Sequence, residues 1–302
     1  MKRRDFIQYG GAITAAALMP LSCWSGPDQE TYPMGLQLYT VRDFMERDPI
    51  GTLLRLKAMG YTHFESYGFD TQTGQYYGMT PKEFKGQLDA LGLSTTSGHY
   101  GFADQFDMSH EHLMDYTDRC IEGALAIDDQ YIVWPILREA HHSLLGYQQL
   151  AEKLNLIGER CKAAGVGFAY HNFGYDFAQY DGVMGYDVVL HDTQADLVQM
   201  EVDFYWVMHA GVISPRALIE KAPGRFPLWH IKDMDKITRD YTEMGNGSID
   251  YKNLLPDPKR SGLMHYYVEQ GGNFLINSME SVKQSARYVD QELGHLFRAT
   301  TR

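Results

Sequence analysis

Residues 197 to 233 combine two apolar stretches with polar side chains that can bind a metal ion or move a proton. Leu197–Val202 leads into Asp203, and Phe226–Trp229 leads into His230 and Lys232, with a short helix-like piece between the two stretches. An alternation of apolar strand, polar tip and helix is typical of parallel α/β proteins. In those proteins the chemistry lies where the strands pass into loops.

The same alternation extends along the chain and predicts eight strand–helix units. Three junctions repeat one local pattern, in which Gly60, Gly92 and Gly165 end a helix and lead directly into a strand. This regularity predicts a parallel sheet, and the number of units favours a (β/α)₈ TIM barrel, which needs ~250 residues. A doubly wound open sheet is the alternative. No Gly-x-Gly-x-x-Gly motif follows the first strand to support a dinucleotide-binding fold.

The predicted strand ends carry the candidate functional residues. They are Gln37, Glu65, His99, Trp134, His171, Asp203, His230 and Glu269. Histidines mixed with carboxylates suit a divalent cation such as Mn²⁺, Co²⁺, Zn²⁺ or Mg²⁺. Such an ion can polarise a carbonyl or hydroxyl oxygen of a sugar and so ease removal of the adjacent C–H proton. Glu269, or a neighbouring carboxylate or lysine, would take or return that proton.

The candidate metal ligands and the lysine also have structural interpretations. Asp203 can cap the turn that follows it, and His230 can be a hydrogen-bonded core histidine. Lys232 can lie in solvent or pair with Asp233. An unpaired Glu269 at the last strand end would be costly unless it had a functional partner.

The remaining strand-end residues are candidates for substrate binding. Glu65 and His99 either contact a substrate or hydrogen-bond within loops, and Gln37 ends the first strand. Trp134 and Trp206 either stack on a sugar ring or pack in the core.

The first 23 residues predict an export signal, followed by a linker at 24–32 and one barrel domain at 33–302. Arg3 and Arg4 precede the apolar run Gly10–Leu21, which is shorter than the ~20 residues of a bilayer span. The paired arginines followed by Asp-Phe-Ile resemble a twin-arginine signal, which predicts export of the folded protein to the periplasm. Cys23 is a candidate for a lipid anchor, and the alternative is cleavage nearby without a lipid.

The net charge argues against one class of partner, and the cysteine positions argue against disulfides. The chain of 302 residues has a formal net charge of −12, which argues against nucleic-acid binding and against an endonuclease. Cys120 and Cys161 lie at helical positions beside apolar residues, so we expect buried thiols and no disulfide framework.

Four motifs carry a resemblance to a known family. They are Tyr-His-Asn-Phe at 170–173, Asp-Phe-Tyr-Trp at 203–206, His-Ile-Lys-Asp at 230–233 and Val-Glu-Gln at 268–270. From about Tyr32 onward the chain resembles the sugar phosphate isomerase/epimerase family, the xylose isomerase-like (AP endonuclease 2) TIM barrels. The resemblance implies a small carbohydrate substrate and a divalent metal ion held by Asp203, His230, Glu269 and a fourth ligand from strand five.

Strand five departs from the family pattern. Family members usually have a glutamate where this chain has His171, so the fourth ligand is either His171 or Asp176. Two reactions stay open: a sugar isomerisation or epimerisation, and a lyase, dehydratase or hydratase reaction on a keto-sugar or 3-keto-glycoside. The candidate catalytic residues are Glu269, Lys232 and His171. A sugar-binding barrel without activity is the non-enzymatic alternative.

Overall fold

The computed structural model describes residues 31–297, and at its centre eight parallel strands form a closed barrel. The strands, numbered β1 to β8 in chain order, are Met34–Gln37, His63–Ser66, Ser94–His99, Tyr131–Trp134, Gly167–His171, Gln199–Asp203, Leu228–Ile231 and His265–Val268. Neighbours in the barrel are neighbours in the chain, and β8 pairs with β1. The predicted (β/α)₈ barrel is confirmed, and the open-sheet alternative is wrong.

Helices alternate with the barrel strands. The α-helical segments are Arg42–Met45, Pro49–Ala58, Pro81–Leu91, His110–Ala126, Leu144–Ala164, Gly185–Asp192, Phe204–Ala210, Pro215–Lys221, Tyr251–Leu254, Pro258–Ser261, Ser278–Tyr288 and Gly294–Phe297. The 3₁₀ turns are Leu38–Val41, Phe102–Gln105, Glu139–His141 and Gly174–Phe177, and Val289–Leu293 is a π turn. Among the helices of residues 31–297, none has the length and apolar character needed to cross a bilayer.

Three short antiparallel hairpins lie in the loops that follow barrel strands. They pair Phe69–Asp70 with Gln75–Tyr76, Gln179–Tyr180 with Val183–Met184, and Asp233–Met234 with Tyr241–Thr242. All three follow the carboxyl ends of strands, at β2, β5 and β7 respectively. The hairpins therefore belong to the same end of the barrel as the predicted site.

Local sequence signals account for most helix boundaries. The side chain of Asp48 accepts a hydrogen bond from the Gly51 amide, and Thr80 with Glu83 forms a capping box. Gly92 and Gly165 adopt φ values of 63° and 81° at the helix ends, where the left-handed conformation favours glycine. The first strand is shorter than its apolar pattern, since it stops at Gln37 where a 3₁₀ turn begins.

Alternation along the strands separates an apolar layer from a polar layer inside the barrel. Tyr131, Val133, Ala169, Leu228 and Tyr267 form a compact buried cluster. Two residues further along β5, β7 and β8 come His171, His230 and Glu269, which face the same way because side chains repeat with a period of two. The apolar layer therefore fills the barrel interior beneath the predicted site.

A second, larger apolar cluster extends over the rest of the barrel and its helices and includes Leu53, Phe64, Leu154 and Trp229. The prediction of buried thiols is confirmed, because Cys120 and Cys161 are buried and free. The predicted export signal and Cys23 lie outside the described residues.

Candidate metal centre and active site

Two groups of histidines and carboxylates meet at the carboxyl ends of the strands and share His230. The outer group consists of His171, Asp203, His230 and Glu269, and the inner group consists of Glu65, His99, Glu201 and His230. Within each group the potential ligand atoms all lie within 4.8 Å of one another. The structure thus brings together six of the eight predicted strand-end residues in one cluster.

Strand register explains why these side chains converge. Asp203 in β6 lies opposite His230 in β7, and Glu201 lies opposite His171 in β5. Glu201 and Asp203 are two residues apart in one strand, so both side chains point into the barrel. Glu201 lies one layer deeper than Asp203 because it comes earlier in a strand that runs toward the site.

The two outer histidines present different ring nitrogens. Nδ1 of His171 lies 3.0 Å from the carbonyl oxygen of Pro135, which can only accept, so Nδ1 carries the proton. The lone pair of a neutral His171 is then on Nε2, which lies 3.3 Å from Oδ2 of Asp203. Nδ1 of His230 lies 2.8 Å from Oε2 of Glu269 and 4.0 Å from Oδ2 of Asp203. These nitrogens and oxygens face one common space.

Lys232 contacts the two outer carboxylates. Its Nζ lies 2.7 Å from Oδ2 of Asp203 and 2.5 Å from Oε2 of Glu269, and the residue is 3% exposed. Burial opposes the charge of Lys232, but the two carboxylates outweigh it and raise the pKa of the ammonium. Burial likewise opposes ionisation of Asp203, yet the Lys232 charge lowers the pKa of that carboxyl. Against the effect of burial, Lys232 also lowers the pKa of Glu269, so all three groups are charged at neutral pH.

Lys232 is thus neither in solvent nor paired with Asp233. The carboxylate of Asp233 instead accepts hydrogen bonds from the backbone amides of Met234, Gly245 and Gly247 at 2.8, 2.9 and 3.0 Å. The capping interpretation of Asp203 is confirmed, since Oδ1 accepts a hydrogen bond from the Trp206 amide, and Oδ2 faces the outer group.

The inner group is a hydrogen-bonded network. Nε2 of His230 lies 2.6 Å from Oε2 of Glu65, and Nε2 of His99 lies 2.7 Å from Oε2 of Glu201. Glu65 also accepts from Nε2 of Gln37 at 2.7 Å and from Oγ of Ser97 at 2.7 Å. Burial opposes the charge of His99, but Glu65 and Glu201 raise its pKa to about 9. Gln37 and Glu65 therefore lie beneath the outer group, where they support His230.

A β-bulge positions part of this network. The pairing of β2 with β3 shifts between Phe64 and Glu65, so that Glu65 lies opposite Ser97. One extra residue in β3 re-aims the side chains that follow it, as bulges near active sites commonly do. Ser97 consequently reaches both Glu65 and the hydroxyl of Tyr267.

The outer group fits a divalent cation on two observations. Within residues 31–297, the buried Nδ1 of His230 makes no aligned hydrogen bond, although Oε2 of Glu269 lies 2.8 Å from it. The cluster also holds four buried carboxylates and one ammonium, a net negative charge that is costly inside a protein. A divalent ion together with one protonated histidine would balance it. Two nitrogens and two carboxylates suit Zn²⁺, Mn²⁺ or Co²⁺ chemically.

Asp176 lies outside both groups. Its Oδ1 accepts from the hydroxyls of Tyr147 and Tyr170, each at 2.8 Å, and its Oδ2 accepts from the Phe173 amide at 2.6 Å. Burial raises the pKa of this carboxyl to about 7 against the effect of these hydrogen bonds. The carboxyl holds the loop after β5, whereas His171 is the strand-five residue that faces the outer group.

The two candidate tryptophans have different surroundings. Trp134 is fully buried, and its Nε1 donates to the carbonyl oxygen of Ile136, so it packs in the core and cannot receive a sugar ring. Trp206 is half-buried, with Phe173 at 5.1 Å and Tyr241 at 6.0 Å between ring centroids. These three rings form an aromatic wall beside His171 and Lys232.

Glu201 is the member of the cluster that the sequence prediction missed. The strand was expected to end in one polar residue, Asp203, and Glu201 was counted with its apolar part. A carboxylate two residues before Asp203 in an otherwise apolar strand was the available signal, because the period of two places both on one face.

Comparisons with known proteins agree with the fold. A sugar phosphate isomerase/epimerase from Parabacteroides distasonis superposes with a TM-score of 0.72 at 25% identity, covering 89% of this chain and 96% of that one. The IOLI protein, solved with a zinc atom, has a TM-score of 0.68 at 14% identity, with 89% and 100% covered. The probable 3-DHS dehydratase AsbF from Bacillus anthracis has a TM-score of 0.66 at 11% identity, with 86% and 99% covered. No curated protein sequence matches the chain.

The family assignment rests on the sequence match together with the barrel. The model of the xylose isomerase-like TIM barrel family matches residues 53–270, which include all seven residues of the outer and inner groups. The closed eight-stranded barrel is the architecture that this match requires. The chain therefore belongs to the xylose isomerase-like TIM barrel family.

Proposed function

We propose that the protein is a metal-dependent carbohydrate isomerase or epimerase that removes a proton from the carbon next to a sugar oxygen. The observation that carries the proposal is the outer group, in which two histidines and two carboxylates face one space beside the ammonium of Lys232. A divalent ion bound by His171, Asp203, His230 and Glu269 supplies Lewis-acid polarisation of a sugar carbonyl or hydroxyl oxygen.

Glu269 and Lys232 are the proposed proton-transfer residues. Burial opposes ionisation of Glu269, but Lys232 and His230 hold the pKa of its carboxyl well below the ordinary range, so it is the ionised form that is present as a base at neutral pH. Lys232 is protonated and can donate to a developing oxygen anion. His171 lies across Asp203 from Lys232, and burial lowers its pKa, which leaves a neutral imidazole on the other side of the site.

The second candidate reaction is that of a lyase, dehydratase or hydratase of a keto-sugar or 3-keto-glycoside. The contact between Glu269 and Lys232 favours it, because one adjacent base and acid can take a proton and return it to a leaving oxygen on the same side. A symmetric two-glutamate epimerisation would require a second glutamate on strand five. This chain has His171 at that position.

An unphosphorylated sugar is the proposed substrate. The guanidinium groups of the arginines in the loops around the site are engaged by protein acceptors. Arg42 donates to the carbonyls of Tyr39 and Gly271, Arg239 donates to the carbonyl of His209, and Arg138 pairs with Asp104. A phosphate group normally requires such cations to be free. The aromatic wall of Phe173, Trp206 and Tyr241 suits the C–H face of a sugar ring instead.

Periplasmic location is proposed from the first 23 residues, with Cys23 as the candidate lipid attachment site. Fractionation of cells expressing the full chain and its Arg3→Lys, Arg4→Lys variant tests export, which the variant should abolish. Membrane association that persists in Cys23→Ser would contradict lipidation.

The test of the proposed function combines metal content with product mass. The purified chain should contain about one divalent ion, and a panel of keto-sugars in deuterated water should incorporate solvent deuterium. An isomerase or epimerase leaves the substrate mass otherwise unchanged, whereas loss or gain of water or an aglycone identifies the second reaction. Glu269→Gln should abolish deuterium uptake. Sugar binding without uptake by any panel member would identify a binding barrel instead.

A further inference from the structure

We infer that Glu65 is a positioning residue that holds the proton of His230 on Nε2 and thereby presents Nδ1 to the outer group. This inference deepens the proposed metal site and rests on the outer group binding a divalent ion. It assigns to Glu65 and Gln37 a role through His230, where the sequence had suggested contact with the substrate.

The contact between Glu65 and His230 determines which nitrogen carries the proton. Oε2 of Glu65 accepts a hydrogen bond from Nε2 of Gln37 and Oε1 accepts one from Oγ of Ser97, so both oxygens of the carboxyl act as acceptors. Its Oε2 lies 2.6 Å from Nε2 of His230, which must therefore be the donor. With a proton held on Nε2, Nδ1 is the only ring nitrogen that can give up its proton and offer a lone pair to a metal ion.

The two ring nitrogens of His230 face different groups. Nε2 lies 2.6 Å from Oε2 of Glu65 in the inner group, which is a hydrogen-bond distance. Nδ1 lies 2.8 Å from Oε2 of Glu269 in the outer group, and among residues 31–297 it makes no aligned hydrogen bond. The inner group therefore engages Nε2, and Nδ1 is the nitrogen that the outer group can use.

Glu65 is itself rigidly held, as a positioning residue must be. Gln37 donates to its Oε2 and Ser97 donates to its Oε1, both at 2.7 Å, and Glu65 is fully buried. The side-chain oxygen of Gln37 accepts from the Tyr39 amide at 2.9 Å, which fixes the amide orientation. The β-bulge between Phe64 and Glu65 brings Ser97 into reach. Hydrogen-bonded carboxylates behind a metal-binding histidine commonly tune affinity in this way.

Glu201→Gln is the matched control for Glu65→Gln. Both substitutions remove one buried negative charge from the inner group, but Oε1 of Glu201 lies 3.4 Å from Nε2 of His230, and its other oxygen serves His99. A general effect of charge would weaken metal binding in both variants equally. A positioning effect would be concentrated in Glu65→Gln.

Zinc titration of the metal-free full chain, followed by ¹⁵N spectra of the zinc-loaded protein, tests the inference. Glu65→Gln should lower zinc affinity about 10- to 100-fold, Glu201→Gln should lower it much less, and the Nε2–H signal of His230 should shift upfield only in Glu65→Gln. Equal losses in both variants, or zinc on Nε2, would overturn the inference. So would two zinc ions per chain that fall to one in either variant, because the inner group would then be a site itself.

Two further measurements keep the inference testable. If Glu65→Gln does not fold, Gln37→Met removes one donor to Glu65 and should lower zinc affinity several-fold with the same spectral change. An unchanged affinity in a folded Gln37→Met variant would count against the inference. Wild-type protein that binds no zinc, Mn²⁺ or Co²⁺ would instead show that the proposed metal-dependent function is wrong.

Discussion

Nζ of Lys232 lies 2.5 Å from Oε2 of Glu269, and the same oxygen lies 2.8 Å from Nδ1 of His230. The ammonium group and the imidazole of His230, a proposed metal ligand, therefore contact the same carboxylate oxygen. A divalent ion bound in the outer group must share Glu269 and Asp203 with a positive charge that already contacts both. The proposed acid–base residue Lys232 therefore lies directly beside the proposed ligands.

Removal of the Lys232 ammonium should strengthen metal binding and slow proton transfer. We expect Lys232→Met to raise divalent-cation affinity at least about tenfold, because like charges ~4 Å apart inside a protein repel by several kcal/mol. Solvent-deuterium exchange into the substrate should fall about 10²- to 10⁴-fold. Calorimetric titration and mass spectrometry measure the two effects. Lys162→Met, which removes an exposed lysine paired with Asp196, is the control. Weaker metal binding in Lys232→Met would contradict the prediction.

The strand-five ligand should be His171 and not Asp176. His171→Asn should lower metal affinity about 10- to 100-fold, as expected for loss of a ligand or of its close partner. Asp176→Asn should leave the affinity within about twofold, because the three hydrogen bonds of Asp176 lie within the loop after β5 and around Tyr147. Metal titration of both variants gives the comparison. A larger loss in Asp176→Asn than in His171→Asn would reverse the assignment.

The inner group should make the stability of the metal-free protein depend on pH. The pKa of His99 is raised from 6.5 to about 9, so its stabilising contribution is complete below pH 6.5 and is lost as the pH rises to 9. The loss is on the order of 3 kcal/mol, since one pKa unit corresponds to about 1.4 kcal/mol. Urea unfolding in the presence of a chelator should give a lower free energy of unfolding at pH 9 than at pH 6. His99→Asn should reduce this difference in unfolding free energy, and His191→Asn, at an exposed position, should not. Equal differences in the two variants would refute the prediction.

The two tryptophans should give opposite results. Trp134→Ala should cost about 3 to 5 kcal/mol of unfolding free energy, because it empties a fully buried site in the core. Trp206→Ala should lower stability much less and raise KM for the sugar about tenfold, because it removes part of the aromatic wall. Urea unfolding and initial-rate measurements distinguish the two. A Trp206→Ala variant with unchanged KM would remove the aromatic wall from the substrate site.

Local pattern was enough to predict the elements and the end of the barrel where the site lies. Helix caps depend only on neighbours a few residues away, so they can be recognised in the sequence. Asp48, Thr80 and the helix-ending Gly92 are examples. Strand ends were predicted within a few residues, which was sufficient to select Asp203, His230 and most of the cluster.

Tertiary structure alone decided which partner each side chain meets. Glu65 and His230 are 165 residues apart in the chain, and their contact depends on barrel closure and on the bulge before Glu65. Lys232 has Asp233 beside it in sequence, yet the turn after β7 directs Asp233 to backbone amides and Lys232 into the barrel. Sequence determined the residue types and their strands, because propensity and periodicity are local. The fold determined which side chains meet in the outer group, the inner group and the core, because hydrogen bonds and burial depend on strand register across the barrel.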